Sequence, residues 1–279
     1  MSSAAQTIKD SLRQRFGEDF AVDENLAGLD ELARIASHRV HRKFLDKEVA
    51  PDLLRLLCAC ALSAPSKSDL QQADILVVRD RAKVATITSW FPDLPWIVTA
   101  PAFLIFLADG RRLARIFKLR DRPFPNDHLD QFFNAVSDAS IVLATFLRAA
   151  TAVGLGCCPI SVIRDHATKI SDMFALPPRV IPLAGMCVGW PAEQGGITAR
   201  LGLECTLHYD SFDDHDLAHR LDAYDHRRDA LWPYRKQRAP DRWGTAEFYG
   251  WSEDKARQYG VPQRADFGAY VRDKGFKLD

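Results

Sequence analysis

Five potential cations stand within six residues, at His38, Arg39, His41, Arg42 and Lys43. The forked donors of a guanidinium match the oxygens of a phosphate, so this segment suits an anionic ligand. Clusters of charge are more commonly solvated faces, and the residues alone leave both readings open. The segment's place favours a pocket: it is a short connection between helical patterns, with apolar Val40 and Phe44 among the charges. A second polar stretch, Ala64 to Gln72, offers hydroxyls at Ser66 and Ser68, a carboxylate at Asp69 and amides at Gln71 and Gln72. Such a lining suits a sugar-like or ribityl chain, and equally an ordinary surface loop. His215 and His219 have the four-residue spacing of metal ligands on a helix. They lack the adjoining glutamate of H-E-x-x-H, so a solvated helix face is the simpler account and no metal is expected. No G-x-G-x-x-G, Walker loop, G-x-S-x-G elbow or kinase signature is present, which removes the usual dinucleotide, nucleoside-triphosphate and acyl-transfer machinery.

Positioning these groups falls first to the stretch His128–Arg164. Phe132, Val136, Ala139, Leu143, Phe146, Ala150 and Val153 recur in steps of four and three, which keeps them on one helical face. Phe133, Ile141 and Leu147 widen that stripe, so the helix is expected to be buried on most sides. Roughly 26 residues at about 1.5 Å each span about 39 Å. Gly154 and Gly156 are expected to end it through positive φ, delivering CCPISVI as a strand at a fixed place. Further strands are expected at Ile75–Val78, Phe103–Leu107, Val180–Val188 and Leu203–His208. Helices are expected over 3–16, 25–37, from Pro51 to Leu62, 79–90, 111–119 and 165–174, and in the polar region after Phe212. Strands separated by helices, with helices at both ends, give an α+β fold with a covered sheet.

The 279 residues are 47% hydrophobic and carry a formal net charge of +0, which supplies ample core and argues against general nucleic-acid binding. The chain is expected to form one domain over 1–279, with helical extensions at both ends. Met1–Gly17 lacks the apolar run of a signal peptide, and no stretch of eighteen apolar residues occurs. A cytoplasmic protein is therefore expected. Six cysteines show no C-x-x-C pair, so zinc and thioredoxin-type chemistry are not indicated, and the Cys157-Cys158 neighbours are expected to be buried inert thiols.

Taken in order, several segments resemble the nitroreductase family of FMN-dependent oxidoreductases, nearest its NADPH-dependent branch of oxygen-insensitive nitroreductases and NADPH–flavin oxidoreductases. HRVHRKF at 38–44 resembles H-R-S-x-R-x-F. APSKSDLQQ at 64–72 is similar to P-S-x-x-N-x-Q, and PISVIR at 159–164 to a strand turn usually written I-G-G-x-R. LPPRVIPLAGMCVGWPA at 176–192, ARLGLECTLHYDSF at 199–212 and RADFGAYVRDKGF at 264–276 resemble the branch's later motifs. Each match alone is weak; their shared order from about residue 30 onward is specific.

The resemblance implies a mostly antiparallel sheet covered by helices and an intertwined homodimer with FMN at the subunit interface. It further implies cofactor contacts from His38, Arg39, Arg42 and Arg200, from Ser66, Ser68, Asp69 and Gln71 of the other subunit, and from the backbone of Ile160, Ser161 and Val162. Arg42 would sit near N1 and O2 of the flavin, where reduction places negative charge. Electrons would come from NADPH or NADH and pass, by ping-pong hydride transfer, to a nitroaromatic, a quinone or a free flavin. No protein side chain is then needed as a catalytic acid, base or nucleophile. Arg235, Lys236, Arg238 and Arg242, with Arg164 and Arg264, are candidates for the nucleotide or substrate entrance, with NADPH preferred. Asp93 or a backbone group nearby would read the flavin's pyrimidine edge. The sequence departs from the family pattern at Val40 (usually serine), Thr198 (usually lysine), Asp69 (usually asparagine) and Ser161-Val162 (usually Gly-Gly). Val40→Ser and Thr198→Lys are therefore expected to tighten FMN. A flavin-binding protein without turnover, or a dehalogenating or flavin-fragmenting relative, is the alternative.

Overall fold

In a computed structural model, residues 3–279 are described. The chain opens with α1 (Ala4–Phe16) and α2 (Leu29–Ala36), followed by α3 (Pro51–Leu62), β1 (Ala73–Val78) and α4 (Arg81–Ser89). Next come β2 (Ala102–Asp109), α5 (Arg111–Leu119), the long α6 (Leu129–Ala152), β3 (Gly156–Ile160), α7 (Ala167–Met173) and β4 (Val180–Gly189). The chain closes with α8 (Leu217–Leu231), the one-turn α9 (Pro240–Trp243), α10 (Trp251–Tyr259) and α11 (Phe267–Asp273). It divides into two compact units, Met1–Arg39 with Gly196–Gln263 and Val40–Gly195 with Arg264–Asp279.

The second unit holds the sheet, ordered β1-β2-β4-β3 with every pairing antiparallel. All eight residues of β2 are buried because both of its faces are covered. Leu104, Phe106 and Ala108 meet Ala135, Ala139 and Phe146 of α6, and the Phe106 and Phe146 rings pack edge to face at 5.6 Å. Phe103, Ile105 and Leu107 share the opposite core with Val84 and Ile87 of α4 and Ile170 of α7. This is the period-two alternation of a strand with two apolar faces. Between Phe106 and Leu107 the β2–β4 register slips, leaving Leu183 opposite no partner. The slip frees the Leu183 carbonyl, which accepts from Arg164 at 2.5 Å.

α6 spans 24 residues, with the His128 side chain accepting from the Asp130 N–H at its start. Its length and composition would suffice to cross a membrane, but here it packs on α3 and the sheet. It is not buried on most sides as expected: Phe133 is 65% and Ile141 40% exposed, and Leu56 of α3 is 58% exposed. The two glycines after it do different work. Gly154 has φ +83, whereas Gly156 lies in β3 and is small because a Cβ there would sit 2.7 Å from the His41 ring.

The first unit is helical. Ser3 accepts from the Gln6 N–H to start α1, and Gly17 ends it at φ +81. α2 starts later than its apolar period predicts, because Gly28 stands at its N-cap with φ +81. Residues 203–208 are not the expected strand. Leu203–Cys205 is a 3-10 turn, and Cys205, Thr206 and Leu207 donate to Gly202 and Leu203 within the segment. Those donors are satisfied locally and need no sheet edge.

Candidate functional site

The basic segment contributes to both units, and each part is described within its own. In the first unit, His38, Thr198, Ala199 and Arg200 line a cleft of about 700 Å³ together with Arg15 and Phe16 from the end of α1. Arg15 is only 7% exposed. Its Nε donates to the Ala36 carbonyl at 2.8 Å, and its two terminal nitrogens donate to the carbonyls of Thr198 at 3.2 Å and His38. In return its own carbonyl accepts from the Arg200 N–H at 2.7 Å and from Arg227 at 2.8 Å. Arg227 also donates to the Arg200 carbonyl at 2.5 Å. Segments far apart in sequence are thus locked around the end of one helix.

The like charges that act on Arg15 are those of Arg200 and Arg39. Burial, and then these two like charges, pull the Arg15 pKa down. Among the described residues, Arg15, Arg39 and Arg200 form no ion pair with a carboxylate; Arg200 donates to Thr198 Oγ1 at 2.6 Å and the Ala199 carbonyl at 3.2 Å. The buried Arg39 Nε has no hydrogen-bond partner. Like charges gathered without an acid, with a donor left over, fit the phosphate end of FMN, since a dianion satisfies both.

In the second unit, Val40 bridges Cys157 in parallel, and the His41 N–H donates to the Cys157 carbonyl at 3.0 Å. The basic segment therefore runs beside β3, which ends at Ile160. Arg42 lies 5.8 Å from the centre of the Trp96 ring. Burial raises the Cys158 thiol pKa, and the charge and hydrogen bond of Arg42 oppose that rise. Beyond Ile160 the expected strand does not continue: Ser161 turns into the helical region and Val162–His166 is a 3-10 turn. The first N–H groups of such a turn have no partner inside it. Lys43 instead pairs with Glu193 at 2.9 Å on an exposed face. All six cysteines are free, and burial pushes Cys58 up to about 11 and Cys157 up to about 12, as inert thiols require.

The loop at 64–72 is organised by a residue that the sequence reading missed. Asp138, 1% exposed on α6, accepts from Ser66 Oγ at 2.7 Å, the Lys67 N–H at 2.9 Å and the Gln72 N–H at 3.0 Å. Ser66 Oγ also accepts from the Gln71 N–H at 2.7 Å. Its one proton thus goes to Asp138, and Ser66 holds the loop instead of offering that proton to a ligand. Ser68, Asp69 and Gln71 all have positive φ, at 51°, 57° and 53°. Non-glycine residues held there cost roughly 1 kcal/mol each, which the Asp138 bonds offset. The available signal was Gln131, Asn134 and Asp138, a polar set at helical spacing, all buried within an apolar helix.

The entrance candidates are mostly engaged. Arg164 turns inward to Leu183, and Arg264 pairs with Asp165 at 2.5 Å. Arg238 pairs with Asp254 at 2.8 Å, and Arg242 lies 4.6 Å from the Trp243 ring centre. Arg235, Lys236 and Asp93 are exposed. His215 precedes α8, so the two histidines do not share a helix, and no cluster able to hold a metal occurs among the described residues.

A sequence model of the nitroreductase family matches residues 35–190, and a model of that family's C-terminal domain matches 199–279. The chain is 29% identical over 248 residues to a Bacillus subtilis protein named FMN reductase, NAD(P)H, covering 88% of this chain and 97% of that one. It is 30% identical over 181 residues to a Salmonella typhimurium protein named oxygen-insensitive NADPH nitroreductase, covering 64% and 72%. The solved structure of B. megaterium NfrA2 shares the fold with a TM-score of 0.80 at 29% identity, over 89% of this chain and 98% of that chain.

Proposed function

Because this chain belongs to the nitroreductase family, we propose that it is an FMN-dependent NAD(P)H oxidoreductase that reduces nitroaromatics, quinones or flavins by a ping-pong cycle. The observation that carries the reading is the cleft lined by Arg15, His38 and Arg200, where the Arg39 and Arg200 charges act on Arg15 and no carboxylate pairs with any of the three arginines. The FMN and NAD(P)H named for the relatives are the cofactor and donor in this reading.

Bound FMN would supply the hydride-accepting and hydride-donating atom that no side chain provides. His38, Arg39 and Arg200 would hold its phosphate. Arg42 would place positive charge at the flavin's pyrimidine edge. The backbone of Ile160, Ser161 and Val162 would donate hydrogen bonds to the ring, and β3 paired with β4 keeps that backbone still. Ser68, Asp69 and Gln71 would face the ribityl chain, on a loop shaped by Asp138. Arg235, with Arg164, Arg238, Arg242 and Arg264, remains the group from which the nucleotide or substrate contact would come.

The same reading includes a homodimer in the cytoplasm. It is supported by the apolar side chains that α3 and α6 leave exposed, Leu56, Phe133 and Ile141. The test is direct. Purified protein loaded with FMN is yellow and, without air, bleaches on adding NADPH; a nitroaromatic or quinone then restores the colour. Persistent yellow after NADPH favours a binder without turnover, and failure to take up FMN overturns the reading. Light scattering of the same sample should give twice the chain mass.

A further inference from the structure

α1 lies before residue 35, where the family match begins, yet its last turn enters the anion cleft. Arg13 and Arg15 sit two apart on it and meet opposite fates. Arg13 is exposed and pairs with Asp19, while Arg15 is buried against three backbone carbonyls. Those carbonyls belong to Ala36 and His38 on one side and Thr198 on the other, the segments that lead into Arg39 and Arg200. A guanidinium has five N–H donors, and these bonds use three of them. Burying a permanent cation beside two others is unfavourable in the empty protein. A staple made only to join backbones would be less costly with a neutral amide. Position 198, where the resemblance leads one to expect a lysine, carries no charge here.

We propose that Arg15 is a positioning residue of the phosphate site, fixing the segments that bear Arg39 and Arg200 and supplying a third positive charge beneath them. The inference rests on the FMN reading above and deepens it. The helix that carries Arg15 is secured for this role. The Arg15 carbonyl in its last turn accepts from both the Arg200 N–H and the Arg227 guanidinium, and a helix C-terminus favours nearby cations. The ligand moiety selected is a phosphate monoester, and riboflavin, which lacks it, is the natural control.

Apoprotein is titrated with FMN and with riboflavin by flavin fluorescence quenching, in wild type, Arg15→Gln and Arg15→Lys, at low and high salt. The expected result is a loss of about tenfold or more in FMN affinity for Arg15→Gln. Riboflavin affinity should stay within about twofold. Arg15→Lys should recover part of the FMN preference, and the salt dependence of FMN binding should be weaker in Arg15→Gln than in wild type. Equal losses for both flavins would make Arg15 a structural staple only and overturn the inference, as would an unchanged FMN preference in Arg15→Gln. If Arg15→Gln fails to fold, Arg15→Lys decides: a wild-type riboflavin affinity with an altered salt dependence supports the role, and parallel changes for both flavins overturn it. Wild type that prefers FMN while Arg15→Gln keeps that preference sinks this inference and leaves the functional reading standing. Wild type that binds neither flavin sinks both.

Discussion

Arg238 and Arg200 belong to the same compact unit and to equally basic surroundings, but they face different neighbours. Around Arg238 the buried charges have partners. Its Nε meets Asp254 at 2.8 Å, Lys255 meets the same carboxylate at 2.8 Å, and Arg257 pairs with Glu253 at 2.6 Å. Tyr249 completes the set by donating to Asp254 at 3.0 Å. Around Arg200, by contrast, the neighbouring charges include Arg15, and no carboxylate pairs with either. Counting cations in the sequence makes the two regions alike, whereas pairing separates them. The first is tied to carboxylates and contributes to folding; the second has no acid of its own, a deficit that an anion would fill.

The paired region should break most severely when its acid is removed. Asp254 is 1% exposed and serves three donors, so Asp254→Ala is expected to destabilise the protein by about 3 kcal/mol in urea denaturation. Its titration carries a sign. Burial pushes the carboxyl up, but bonds from Lys255, Tyr249 and Arg238 together outweigh that and hold it below the usual aspartate range. A depressed folded pKa stabilises fully above the unfolded value of about 3.9 and is lost as pH falls through the folded value. Asp254→Asn should therefore flatten the acid limb of a stability–pH profile below about pH 4 and leave the neutral-to-basic limb's shape unchanged.

The unpaired region should break through its ligand instead. Arg200→Ala is expected to weaken FMN by roughly thirty- to a hundredfold, about 2–3 kcal/mol, because one charge-assisted contact is lost. Relief of the repulsion with Arg15 should keep the melting temperature of the empty protein near wild type. A fall in stability comparable to that of Asp254→Ala would erase the contrast between the regions.

Legibility in the sequence follows the distance over which each feature is encoded. The α6 period and the apolar run of β2 are local, and both elements appear where the spacing places them. Leu203–His208 has strand-like alternation, yet its backbone bonds close within three or four residues, which composition does not reveal. Ser66 reads as a free hydroxyl until Asp138, 72 residues later, takes its proton. Arg15 lies 183 residues from Thr198 and only two from Arg13, so local pattern cannot tell the buried arginine from the exposed one. The family motifs supply the cations at 38, 39 and 200, but not the helix that organises them.

A smaller effect tests whether the end of α1 belongs to the site. Gly17 has φ +81, and a Cβ there would lie 2.5 Å from Cδ of Arg227, whose guanidinium holds the carbonyls of Arg15 and Arg200. Gly17→Ala is expected to cost about 1–2 kcal/mol from backbone strain. Because Arg227 must shift, FMN affinity should fall by a few-fold, measured by the same fluorescence titration. Stability lost with FMN affinity unchanged would detach α1 from the cleft.

The smallest expected effect is the sharpest check on the contrast. Arg238 already has Asp254 as counter-ion, and its backbone N–H is taken by Tyr249 Oη at 2.9 Å. Replacing it removes a charge that is neutralised locally, so Arg238→Ala should change FMN affinity by less than about twofold. Its partner keeps Lys255 and Tyr249, which limits the stability loss to about 1 kcal/mol. If Arg238→Ala weakened FMN as strongly as Arg200→Ala, pairing would have no bearing on which arginines face the ligand. If it left FMN alone but raised the KM for NADPH and not for NADH, Arg238 would exchange its carboxylate partner for the nucleotide's 2′-phosphate. The C-terminal basic segment would then be a second anion site, opened only by competition with Asp254.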